Sequence, residues 1–205
     1  MDVFNNLSKI SIAQSKRTAM NTIYLHPKNP QPRLLEQIKQ ALQNGQIVAY
    51  PTEIGYMLLT HISAKDALAK VSKIPAVKQK DQYVIVCRSI SNASAHADIN
   101  DEQFRIIKNS SQGNQFILPS SKQTPKYLIN PKNKNIGIHI TAYEPLLALL
   151  ELLDDTVVIH KLDDETIEVS SPYDIEDLPD GQIDVLVNVD VINTIDHEVL
   201  DLSDL

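Results

Sequence analysis

The sequence predicts an α/β domain, and three observations carry that expectation. The first is a strand–helix–strand opening: Ile23-Tyr24-Leu25, then Leu34, Leu35, Ile38, Ala41 and Leu42 at helical spacing, then Ile47-Val48-Ala49-Tyr50. The second is that short β-prone runs and helical patterns keep alternating along the chain, punctuated by proline and glycine. The third is size: 205 residues, 42% hydrophobic and 22% charged, suffice for one well-buried domain.

The elements follow in order. Residues 1–19 have no sustained periodicity and no signal-peptide core, since Asp2, Asn5, Asn6 and Lys9 interrupt every apolar run. They are expected to be a poorly ordered extension, with the domain spanning 20–205 and Met20 an alternative start. His26-Pro27-Lys28-Asn29-Pro30 closes the first strand, and Asn44-Gly45 stops the first helix. The run Ile47–Tyr50 is expected to stop at Pro51, which cannot donate to a sheet ladder. Thr52, Glu53 and Tyr56 follow around Gly55, in the position beyond a strand end where α/β sheets bind ligands. The alternative for the same residues is a strand, a turn and a second strand with no ligand.

Met57-Leu58-Leu59 reads as another strand, and Ser63 as the N-cap of a helix carrying Ala64, Ala67, Leu68 and Val71. Lys73 to Lys80 is a basic loop in which Pro75 forbids helix. Tyr83–Cys87 has strand character, with Cys87 a small core residue. Asn100-Asp101 opens a helix through Ile107, and Phe116-Ile117-Leu118 forms a strand ended by Pro119. Lys126, Lys132 and Lys134 line a polar loop, either solvated or in contact with phosphate. Strand Ile136–Ile140, helix Leu146–Leu153, and strands Val157–Ile159 and Val185–Val189 complete the pattern before Val199-Leu200-Asp201-Leu202. His160 with Asp163, Asp164 and Glu165 matches no standard metal spacing, so no metal site is expected.

Composition narrows the function classes. With one cysteine no internal disulfide forms, and cytoplasm is the expected compartment. The longest strongly apolar stretch, Pro145–Leu153, is too short to cross a bilayer. No P-loop, GxGxxG or CxxC occurs, and five glycines leave no glycine-rich phosphate cradle. The net charge of −7 divides unevenly: residues 1–150 hold 18 Lys+Arg against 9 Asp+Glu, and residues 151–205 hold 1 against 17. A basic body is the footprint of a protein that meets phosphate, as nucleotide or nucleic acid. Alternatively the acidic part folds over the basic part and neutralises it.

The stretches Ile23-Tyr24-Leu25-His26-Pro27 and Val48-Ala49-Tyr50-Pro51-Thr52-Glu53-Ile54-Gly55-Tyr56 resemble the start of YrdC/YciO proteins. That family has a strand followed by Pro-Thr-Asp/Glu, two variable residues and Tyr. The His-Pro-any-Asn-Pro opening and the Gly before Tyr56 bring the chain nearest the YciO branch. Gly113-Asn114, Ile136-Gly137-Ile138 and Leu200-Asp201-Leu202 are similar to later family segments in consistent order. The resemblance implies a twisted mixed β-sheet flanked by helices around a concave, positively charged cleft. It also implies threonylcarbamoyl-adenylate synthesis from threonine, bicarbonate and ATP with magnesium, for tRNA modification, and binding of double-stranded RNA.

Carried over residue by residue, Thr52 and Tyr56 keep the substrate-pocket positions, with Glu53 as acidic neighbour. The family's Lys-any-Arg clamp falls on Pro75-Ala76-Val77, its Ile-Gly-strand arginine on His139, and its Ser-Thr-Ser/Ala-Asn group on Ile159-His160-Lys161-Leu162. Glycines expected after Tyr56 and after the Val185–Val189 strand are replaced by Met57, Leu59, Val189 and Asp190. Lys73, Lys78, Lys80, Lys161 and His139 are then the candidates for nucleotide or RNA phosphate. Adenylation relies on fixed cations, each worth about two to three decades in rate. The expectation is a nucleotide- or RNA-binding domain with weak or lost synthase activity. The alternatives are a working synthase with a rearranged lysine clamp and a non-catalytic partner-binding protein.

Overall fold

A computed structural model of the chain describes residues 20–77, 83–162, 169–176, 178 and 181–205. The expected N-terminal extension, Lys78, Lys80 and the Asp163–Glu165 run lie outside them. Nine strands form one mixed sheet: β1 (Asn21–Tyr24), β2 (Val48–Thr52), β3 (Gly55–His61), β4 (Val84–Cys87), β5 (Gln115–Pro119), β6 (Asn135–Ile140), β7 (Val157–Lys161), β8 (Val185–Asn188) and β9 (Val199–Asp201). Their order is β1-β8-β2-β3-β7-β4-β6-β5-β9. The helices are α1 (Pro32–Gln43), α2 (Lys65–Val71), α3 (Ile90–Ala93), α4 (Asp101–Asn109), α5 (Glu144–Leu153) and α6 (Pro172–Glu176).

The sheet is buried on both faces. Along β7, Val157 and Ile159 join a core shared with α1 and α5, while Val158 between them joins a second core with Ala93, Ala97, Ile107 and Leu128. β4 alternates the same way, Val86 into the first core and Ile85 and Cys87 into the second. Cys87 is therefore the core residue expected, and burial pushes its thiol up to about 12. α1 starts with proline in its first turn and stops at Gly45, whose φ of 73° suits a residue without Cβ.

Two expectations about local structure change. Pro51 does not end its strand: β2 runs through it and pairs Thr52 with Gly55, so β2 and β3 form a hairpin with Glu53 and Ile54 at the tip. The proline is tolerated because β8 pairs with β2 only at Val48 and Ala49, leaving no ladder acceptor on that side at Pro51. Ser63 does not cap α2; Ala64 holds that position and the Ser63 hydroxyl lies 2.7 Å from His61 Nδ1. The short helices α3 and α6 had no clear sequence signal, whereas Asn100 caps α4 with the reciprocal Gln103 bond of a capping box.

His160 points inward from β7, its Nε2 3.1 Å from Thr60 Oγ1, and burial pulls its pKa down to about 4 from 6.5. The folded protein thus favours neutral His160, and the unfolded chain binds the extra proton between those two values. This contribution to stability is complete above pH 6.5 and disappears as pH falls to about 4, a change of about 3 kcal/mol. His160→Leu should flatten that part of the stability–pH curve in chemical denaturation; an unchanged slope would assign it to other groups.

Candidate functional site

The hairpin tip and the end of β6 create the site. β7 and β4 stand between β3 and β6, a separation of about 14 Å in a flat sheet. Yet Glu53 at the tip touches the residues that follow β6, so the curled sheet brings its two halves together here. Thr141 Oγ1 donates to both Glu53 oxygens at 3.0 and 2.9 Å, and the Ala142 N–H donates at 3.0 Å. His139, fully buried on β6, places Nε2 3.4 Å from Glu53 Oε1. Neither ring nitrogen of His139 has a hydrogen-bond partner among the described residues, so the ring faces the carboxylate without a formed bond.

Burial alone would raise the Glu53 carboxyl, but the adjacent His139 ring and the backbone N–H groups outweigh it and hold the group below its ordinary value. The ionised carboxylate in turn helps burial push the Tyr143 phenol up to about 12. The Ile195 N–H donates to the Glu53 carbonyl at 2.9 Å, tying the segment after β8 to the tip.

Thr52 and Tyr56 are both buried, and their hydroxyls serve the fold. Thr52 donates to the Gly55 carbonyl at 2.7 Å and accepts from the Ile54 N–H. Tyr56 accepts from Val189 N–H and donates to Asp190 O, each at 3.3 Å. Of the three residues expected around the substrate, Glu53 is the one that lines the cleft. That cleft, about 450 Å³, opens between the end of β1, the tip, the start of α5 and the segment after β8. Lys28 is its single lining cation among the described residues, opposed by Glu53 and Glu144.

The expected phosphate residues divide. His139 faces Glu53 with no exposed surface, so it offers nothing to an incoming phosphate. Lys73 and Lys161 are exposed, and neither lines the cleft. They sit on segments that meet, since Val77 bridges to Leu162. Lys78 and Lys80 lie outside the described residues. Magnesium held by the protein would need one or two available carboxylates beside the phosphates. Both Glu53 oxygens are already engaged, and no three His, Cys, Asp or Glu side chains cluster for a metal among the described residues. Glu144, also on the cleft lining, is the carboxylate left to meet a phosphate-bound ion.

Sequence reasoning missed Thr141, Ala142, Tyr143 and Lys28. Thr141 follows the end of an apolar strand, the same signal that drew attention to Thr52 and Glu53.

Residues 40–204 match the Sua5–YciO–YrdC family model, whose description is telomere recombination. The uncharacterised protein YciO of Escherichia coli K12 is 30% identical over 184 residues, covering 88% of this chain and 89% of its own. The crystal structure of E. coli YciO superposes with a TM-score of 0.83 at 30% identity, covering 90% of this chain and 91% of that one. Threonylcarbamoyl-AMP synthase of Haemophilus influenzae PittEE is 30% identical over 121 residues, 57% of this chain and 66% of its own. The P. abyssi Sua5 structure complexed with L-threonine shares the fold, with a TM-score of 0.76 at 19% identity over 88% of this chain and 54% of that one. No helix among the described residues is long and apolar enough to cross a membrane. The chain belongs to the Sua5/YciO/YrdC family.

Proposed function

We propose that this chain binds a phosphate-bearing ligand, a nucleotide or RNA, and has little or no threonylcarbamoyl-adenylate synthase activity. The observation that carries the reading is the buried Glu53–His139 contact. The resemblance expects a phosphate-facing arginine at position 139, and here a shorter side chain is held against the carboxylate next door. The cleft supports the same conclusion, because one lysine opposed by two carboxylates gives a triphosphate little stabilisation. With the Lys-any-Arg positions occupied by Pro75 and Val77, several contributions of two to three decades each are missing at once.

What favours a phosphate ligand is the exposed pair Lys73 and Lys161, which lie on segments joined by the Val77–Leu162 bridge. Such a pair binds phosphate through counterion release. The expected result is that affinity for a short RNA duplex falls steeply between 50 and 200 mM salt. Lys73→Ala with Lys161→Ala should reduce the slope by about one unit per lysine. Salt-independent affinity, or a slope untouched by the double variant, would overturn the assignment. The same bridge favours the second reading, an active synthase whose clamp is rebuilt from this lysine-bearing loop.

A further inference from the structure

The far end of β3 holds a serine, a histidine and an aspartate in sequence of contact. β3 runs from Gly55 at the hairpin tip to His61, about 20 Å along an extended strand, so this end of the sheet is remote from the cleft. The β3–β7 register sets His61 opposite Val157, and the Ile62 N–H donates to the Thr156 carbonyl at 3.2 Å, which brings Asp155 beside the His61 ring. Asp155 Oδ1 accepts from the Thr156 N–H at 2.7 Å, and its Oδ2 lies 3.2 Å from His61 Nε2. On the other side of the ring, Ser63 Oγ lies 2.7 Å from Nδ1.

The backbone fixes where the ring proton sits. The Ser63 N–H donates to His61 Nδ1 at 3.3 Å, so Nδ1 is an acceptor and the proton is on Nε2, toward Asp155. The Nδ1 lone pair therefore faces the Ser63 hydroxyl. The turn itself is pinned, because the Ala64 N–H donates to the His61 carbonyl and the Tyr127 hydroxyl to the Ile62 carbonyl, each at 2.9 Å. Lys65 is held over the Tyr127 ring, 4.8 Å from its centroid. His61 is buried, whereas Ser63 is exposed and open to a reactant. A hydroxyl within reach of a base, with the base oriented by a carboxylate, is the arrangement that activates a serine.

We propose that Ser63 is a nucleophile that accepts an acyl group from an activated ester. Ser63 Oγ attacks the ester carbonyl carbon while His61 Nδ1 takes the hydroxyl proton. The bond from that carbon to the leaving oxygen then breaks, the leaving group takes the proton back from Nδ1, and the acyl group stays on Oγ. Asp155 is a positioning residue: it holds the Nε2–H and stabilises the ring while Nδ1 carries the extra proton. The Ser63 N–H is engaged with Nδ1, so the acceleration comes from the general base, about a hundredfold.

The test adds 4-nitrophenyl acetate to the whole protein, quenches in acid and locates acetyl groups by peptide mass spectrometry. Ser72 and Ser94 are internal references, exposed hydroxyls that donate to the Ala69 and Ile90 carbonyls instead of to an imidazole. The proposal expects Ser63 to be acetylated about a hundredfold faster than either, at a rate that rises with pH and levels off once the imidazole is neutral. His61→Gln should bring Ser63 down to the reference rate. Asp155→Asn should slow it about tenfold or more and alter the pH profile, which a purely structural role would leave in place. Because His61 is buried, the pH profile of the unaltered protein gives a reading that does not depend on the variant's folding. Four results would overturn the proposal: equal acetylation of Ser63, Ser72 and Ser94, a parent rate that climbs with hydroxide without levelling, a parent rate in His61→Gln, or an unaltered profile in Asp155→Asn. Each would leave the Ser63–His61 contact as a turn hydrogen bond only.

Discussion

Glu53→Ala should unfold about 3 kcal/mol more easily than the parent, the larger of the two main stability effects expected. The carboxylate accepts two bonds from Thr141 and one from Ala142, and it faces a His139 ring with no exposed surface and no other partner. Removing it leaves a hydroxyl, an N–H and a buried imidazole uncompensated. Glu53→Gln separates the contributions. A glutamine carbonyl can accept from Ala142, and its NH2 can donate to Thr141, so only the charge facing His139 is lost, costing about 1 kcal/mol. Urea unfolding of the two variants measures the difference; equal losses would mean that the charge contact and not the hydrogen bonds holds the tip.

The pH dependence has a definite sign. The folded state holds Glu53 below its ordinary value of 4.5, so it favours the ionised form. The resulting stability is present above pH 4.5 and is lost as pH falls through the lower folded value. His160 acts earlier, between pH 6.5 and about 4, so the two contributions separate in an acid titration. In Glu53→Gln the part below pH 4.5 should shrink and the part above it should remain.

Gly137→Ala should cost about 2 kcal/mol, which for a chain of this length lowers the melting midpoint by about 5 °C. Gly137 pairs with Val84 where β6 runs parallel to β4. A Cβ there would stand 2.8 Å from the Tyr83 carbonyl oxygen, 2.8 Å from Val84 Cγ2 and 3.2 Å from Val84 Cα. Two of these three atoms are backbone and cannot rotate aside, so the strands must separate. Alanine restricts the unfolded chain and returns up to about 1 kcal/mol, less than the overpacking it creates. Differential scanning calorimetry decides the sign; a midpoint equal to or above the parent's would show that the β4–β6 pair has room to give.

The sequence revealed elements held together by local pattern, and it was silent about contacts made at a distance. Helix α1 was legible because Leu35, Ile38, Ala41 and Leu42 fall on one face and all are buried. The strands β4, β6, β7 and β8 were legible because apolar and β-branched runs bounded by turn residues have few other solutions. Pro51 misled because its penalty depends on whether a neighbouring strand needs its N–H, and that depends on where β8 stops. Residues 199–202 were singled out without a partner, because pairing with β5 joins positions more than 80 apart. Ser63 looked like a cap, and only the fold shows that His61 competes for its hydroxyl.

The site was half legible for the same reason. Thr52, Glu53 and Tyr56 were singled out from their place around a turn, but of the three Glu53 alone lines the cleft, and their burial was not legible. Thr141 and Ala142 lie nearly 90 positions away from Glu53, and no periodicity links them. His139 was read as a replacement for a phosphate-facing cation. Its position in the core, against Glu53, makes it an internal contact.

The central proposal is that, among the described residues, this site lacks the phosphate-stabilising cations of adenylate formation. Pyrophosphate release by the purified protein, given ATP, threonine, bicarbonate and magnesium, tests it most directly. The expected result is release at background level, identical in the parent and in Thr52→Ala. Release well above background that disappears in Thr52→Ala would contradict the claim and show that the lysine-bearing loop has rebuilt the clamp.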